Sequence, residues 1–122
     1  MFDTISIIGC GLIGSSMLRA IKSKDLAKKI KVFDRSKEVA TYLKKENICT
    51  NISNDIRQCA DNSDLIIIAT PLSSYKEIIL SIKDSLKKNV ILTDTGSVKK
   101  EVMKIIHNIN LTDVHWIPSH PI

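Results

Sequence analysis

Aromatic residues are scarce in this 122-residue chain: two Phe, two Tyr and one Trp make up 4%. That is too few for the stacking platforms that hold single-stranded nucleic acids. The net charge of +5 does not restore such a reading. The lysines come as scattered doublets, Lys28-Lys29, Lys44-Lys45, Lys87-Lys88 and Lys99-Lys100, near the ends of expected helices. They solvate a surface, and no nucleic-acid partner is expected. Cysteines are few as well. Cys10, Cys49 and Cys59 cannot all pair with one another and show no C-x-x-C spacing, so reduced thiols in a cytoplasm are expected. No metal-ligand spacing is visible. The longest strongly apolar run, Leu65–Ala69, is far short of the roughly 20 residues needed to cross a bilayer, which excludes a membrane span. Ile5–Cys10 is apolar too, but Asp3 stands where an export signal would carry basic residues.

What is present suits one globular domain: 43% hydrophobic and 25% charged residues. Short apolar runs alternate with longer amphipathic stretches. Strands are expected at Thr4–Ile8, Ile30–Asp34, Cys49–Ser53, Leu65–Ala69, Val90–Thr93 and Asp113–Ile117. Between them the helical spacing of apolar residues predicts helices over Leu12–Lys22, Ser36–Glu46, Asp55–Ala60, Tyr75–Leu86 and Val98–Ile109. Leu65–Ala69 lacks alternation, as a strand buried on both faces of a parallel sheet does. The pattern is that of a single α/β domain, a Rossmann-type doubly wound parallel sheet with strand order 3-2-1-4-5-6.

Gly9-Cys10-Gly11-Leu12-Ile13-Gly14 reads G-x-G-x-x-G. It follows an expected strand directly and opens an expected helix. Asp34 lies 20 residues beyond Gly14, at the end of the second strand. Gly9 allows the tight turn, Gly11 lets the backbone approach a pyrophosphate, and Gly14 lets helix and strand pack closely. The N–H groups around Leu12 and Ile13 would hold the anion. Asp34 would accept from ribose hydroxyls and repel a 2′-phosphate, so NAD is favoured over NADP. Arg35 is the counter-signal, because an arginine there can pair with a phosphate; otherwise it is a surface residue or stacks on adenine. Cys10 reads as a small filler. His107, near a helix end, and His115, on the last strand, are not expected to be catalytic.

Three later segments fall at strand C-termini, where an open α/β sheet binds its ligands: Ala69-Thr70-Pro71, Asp94–Lys99 and Ser119–Ile122. Thr70 and Pro71 are expected beside the cofactor. The combination of I-I-G-C-G-L-I-G-S-S, A-T-P, D-T-G-S-V-K and S-H-P-I resembles the prephenate/arogenate dehydrogenases of tyrosine biosynthesis, from Ile7 to Ile122.

That resemblance implies an NAD-dependent oxidative decarboxylation of a small-molecule substrate. His120 would be the base that hydrogen-bonds the substrate's ring hydroxyl, and Ser97 the group that orients it. Residues 1–122 would be the NAD-binding domain. The family's helical second domain, which carries the dimer interface and the cations for the substrate carboxylates, would be absent. A homodimer is thus expected of the full-length family, and the 122-residue chain alone is expected to be inactive. Two other readings stay open: the Rossmann half of a β-hydroxyacid or imine dehydrogenase, and a non-catalytic dinucleotide-binding module.

Overall fold

In the computed structural model, residues 2–46, 51–95, 99–109 and 113–118 are described. The elements run β1 (Phe2–Ile8), α1 (Leu12–Ser23), β2 (Ala27–Phe33), α2 (Lys37–Lys45), α3 (Ile56–Ala60), β3 (Leu65–Ile68), α4 (Tyr75–Ile82), β4 (Val90–Asp94), α5 (Lys99–Ile109) and β5 (Val114–Pro118). All the pairings are parallel and the sheet order is β2-β1-β3-β4-β5. Ile5 sits between Ile30 of β2 and Leu65 of β3, and the central register continues with Leu65 opposite Ile91.

Apolar residues on both faces of the central strands explain the two layers of helices. Ile5, Ile7, Val32 and Ile67 pack with Leu18 and Ile21 of α1 and Leu43 of α2. Ile8, Ile66, Ile68 and Leu92 pack on the other face with Ala60 of α3, Ile78, Ile79 and Ile82 of α4, and Val102 of α5. A sheet covered on both sides is the setting that parallel strands need. Ser36 caps α2 by accepting from the Val39 N–H, and Asp55 caps α3 by accepting from the Arg57 N–H.

The third expected strand is corrected. Of Cys49–Ser53, Cys49 and Thr50 lie outside the described residues, and Asn51–Ser53 make one parallel bridge, Ile52 to Val32. The Val32 N–H donates to Asn51 O (3.0 Å) and the Ser53 N–H donates to Val32 O (2.8 Å). This places Ile52 on the outer edge of β2, so the spatial order stays as expected while, among the described residues, the sheet has five strands rather than six. A single half-buried Ile52 among Asn51, Ser53 and Asn54 offers too little apolar surface to extend the pairing. β2 also begins three residues early. Lys28 and Lys29 point to solvent while the backbone pairs with β1, as in the register of Thr4 with Lys29.

At the N-terminal edge of the sheet, Asp64 accepts from the Thr4 N–H (3.0 Å) and from the Lys87 ammonium. The hydrogen bond from Lys87, and after it that from Thr4, holds the Asp64 carboxyl below its ordinary value of 3.8. A depressed carboxyl stabilises the fold when ionised, and that contribution fades as pH falls through the ordinary value and below. Because Lys87 is 41% exposed, Asp64→Asn should cost only about 1 kcal/mol at pH 7. Urea titrations at neutral and acid pH check this: the gap between parent and variant should narrow below about pH 4. An equal gap at both would show that the charge contributes nothing.

Candidate nucleotide-binding site

The strand order reverses direction between β1 and β3, because the chain leaves β2 and returns across β1 to reach β3. Ligands of open α/β sheets bind at such a switch point, beyond the strand C-termini. A cleft of about 430 Å³ lies there. Its floor comes from the ends of three strands: Ile8-Gly9 after β1, Phe33–Ser36 after β2 and Ala69–Pro71 after β3. Val39, Ile56 and Ile78 add apolar wall.

The three fingerprint glycines serve different needs. Gly9 has φ +90°, and a Cβ on it would come within 2.5 Å of Thr70 Cγ2. A Cβ on Gly14 would stand 2.1 Å from the Gly9 carbonyl oxygen. Both are therefore demanded by the protein's own packing. A Cβ on Gly11 would meet no atom of the described residues within 4 Å, yet Gly11 lines the cleft. Packing does not require glycine there, and the open space belongs to whatever enters the cleft.

Gly14→Ala should accordingly unfold the domain more readily. The obstacle is backbone rather than a movable side chain, and such overpacking costs about 1–3 kcal/mol or more. Thermal unfolding should show a drop of about 10 °C. A melting temperature equal to the parent's would mean that α1 can slide off β1 at no cost.

Asp34 is held rigidly just past β2. Its Oδ2 accepts from the Cys10 N–H (2.6 Å) and its Oδ1 from the Ser36 N–H (2.8 Å). The carboxylate thus ties the glycine loop to the start of α2. Cys10 is buried, at 2% exposure, as the small filler expected of it. α1 opens at Gly11 with no side-chain cap and no acidic residue in its first turn. Its positive pole is left for an anion. Ile13, in that turn, is half exposed.

Thr70 and Pro71 line the cleft as expected, and the enclosed Thr70 hydroxyl has no hydrogen-bond partner among the described residues. A polar atom in that condition points to a missing acceptor or donor in the cleft. Arg35 also lines the cleft, but its guanidinium donates to Glu77 Oε2 on α4 (2.9 Å). Ser97 and His120 lie outside the described residues. Phe33, Ile56 and Ile78 are cleft residues that the sequence did not single out. Ile78 was legible only as part of a buried helical face, which does not say that one edge of that face borders a cleft.

Residues 17–122 match the family described as "Prephenate dehydrogenase, nucleotide-binding domain". The chain is 35% identical over 122 residues to a cyclohexadienyl dehydrogenase of Zymomonas mobilis, covering 100% of this chain and 41% of that protein. It is 34% identical over 119 residues to a prephenate dehydrogenase of Lactococcus lactis, covering 96% of this chain and 33% of that protein. The chain thus spans well under half of these relatives. Its fold matches that of A. aeolicus prephenate dehydrogenase solved with hydroxyphenyl propionate and NAD+, at a TM-score of 0.85 and 21% identity, over 100% of this chain and 42% of that one. Mycobacterium tuberculosis 3-hydroxyisobutyrate dehydrogenase shares the fold at a TM-score of 0.83 and 12% identity, over 97% of this chain and 40% of that one. With residues 17–122 matched, the chain belongs to the prephenate dehydrogenase family, as its nucleotide-binding domain.

Proposed function

We propose that the cleft binds NAD+ and that, in the whole protein, this domain serves the oxidative decarboxylation of prephenate or arogenate. The observation that carries the cofactor reading is Gly11: its missing side chain leaves space that no atom of the described residues uses, at the mouth of an uncapped helix. The N–H groups of Leu12 and Ile13 would hold the pyrophosphate, with Gly9 and Gly14 shaping the loop. Asp34 would accept from the ribose hydroxyls, and the Thr70 hydroxyl, beside Pro71, would find its partner in the dinucleotide. Bound NAD+ would supply the hydride acceptor.

The residues proposed for chemistry act on the substrate. His120 would take the proton of the ring hydroxyl as the carbon bearing it gives up hydride, and carbon dioxide loss would leave an aromatic ring. A neutral imidazole near pH 7 suits that role. Ser97 would orient the histidine and the substrate. The dimer interface and the cations for the substrate carboxylates would belong to a helical domain beyond this one. A cytoplasmic setting agrees with the three cysteines, Cys10, Cys49 and Cys59, which show no C-x-x-C spacing.

Calorimetric titration of the 122-residue chain with each cofactor tests the reading. NAD+ should bind at one site and more tightly than NADP+, because a 2′-phosphate would meet the Asp34 carboxylate. Equal or tighter binding of NADP+ would overturn the choice of cofactor.

A further inference from the structure

We infer that Glu77, on α4, is a positioning residue for cofactor choice: it holds Arg35 in an ion pair and so denies a 2′-phosphate its cation. The inference rests on the dinucleotide reading of the cleft and adds to it a residue remote from the glycine fingerprint. Among the described residues that line the cleft, Arg35 is the one basic residue. A 2′-phosphate would add close to two negative charges beside Asp34 and would need that guanidinium. The guanidinium is already committed to Glu77 Oε2 at 2.9 Å.

The pair is anchored from both ends. Arg35 follows Asp34, whose two oxygens are fixed by the Cys10 and Ser36 N–H groups. Glu77 stands in the first turn of α4, a helix held down by buried Tyr75, Ile78, Ile79 and Ile82. The Tyr75 hydroxyl donates to Ile68 O at the end of β3 (3.4 Å), and Ile78 itself lines the cleft. To clasp a phosphate, Arg35 would have to leave Glu77 and exchange one anionic partner for another. A ribose with free hydroxyls asks nothing of Arg35, so the pair burdens NADP+ and leaves NAD+ untouched.

The side chains of Arg35 and Glu77 are 62% and 70% exposed, which limits the effect to that of a surface ion pair. In the 122-residue chain, Glu77→Gln should tighten NADP+ about two- to fivefold at low ionic strength. NAD+ affinity should stay within about twofold, and the NADP+ gain should shrink as salt is added. In an Arg35→Gln background the same Glu77→Gln change should give no gain, because the cation it releases is missing. Titration calorimetry with both nucleotides on the four proteins reads all of this, and the ratio of affinities does not move with a mere loss of stability.

The expected pattern, a gain for NADP+ alone that requires Arg35, supports the inference. Normal NAD+ binding with NADP+ unmoved by Glu77→Gln, or undetectable in both proteins, overturns it while leaving the dinucleotide reading intact. A gain that persists without Arg35 also overturns it, since Glu77 would then act by its own charge. A folded parent that binds neither nucleotide overturns the dinucleotide reading and this inference together.

Discussion

Gly11→Val is expected to abolish NAD+ binding while the domain stays folded. A Cβ at Gly11 touches no atom of the described residues within 4 Å, so the native packing accommodates it. The same position borders the cleft and opens α1. A branched side chain there would fill the space between the backbone and a pyrophosphate. It would separate the phosphate oxygens from the first-turn N–H groups, each a charge-assisted bond of roughly 1.5–3 kcal/mol. Losing two of them lowers affinity by about 100-fold or more. Stability should change by no more than about 1 kcal/mol, the scale of exchanging a residue at a helix N-cap. Calorimetry and thermal unfolding on the same preparation separate the two effects. Retained affinity in a folded variant would place the nucleotide elsewhere.

In the whole protein, His120→Asn is expected to lower turnover about 10²–10⁴-fold, the range for loss of a general base. NAD+ affinity should stay within about twofold, since the glycine loop, Asp34 and Thr70 are untouched. The pH profile gives an independent sign. A base works when neutral, so the parent's kcat/KM should fall as pH drops through the histidine range near 6.5. The variant should lose that limb. Assay of NADH formation across pH tests both points. An equal loss of turnover and of NAD+ binding would mean that His120 supports the fold, and an unchanged acid limb would assign the base to another group.

Local patterns that report backbone geometry were legible from sequence. The G-x-G-x-x-G run, the strand before it and the acid 20 residues on anticipated the Gly9 turn, the α1 terminus and Asp34 beside them. The helices expected over Ser36–Glu46 and Asp55–Ala60 were legible too, and their first residues stand as the caps of α2 and α3. What escaped depends on contacts distant in sequence. The outer-edge strand needed more apolar partners than Ile52 alone, and β2 gained Ala27–Lys29 through pairing with β1 rather than through side-chain preference. Arg35 carries two opposite meanings in the sequence, and its partner in the fold, Glu77, stands 42 residues away. The apolar wall of Ile56 and Ile78 reads as ordinary helix core, because only the fold reveals that this core borders the cleft.

The central claim, that the switch-point cleft is the dinucleotide site, is tested most directly by following backbone amide resonances while NAD+ is added to the 122-residue chain. The account predicts saturable shifts concentrated at Gly9–Ile13, Asp34–Ser36 and Thr70, with α5 and the N-terminal edge around Asp64 unmoved. Shifts centred on α5 or on that edge, or none at all from a folded chain, would contradict it.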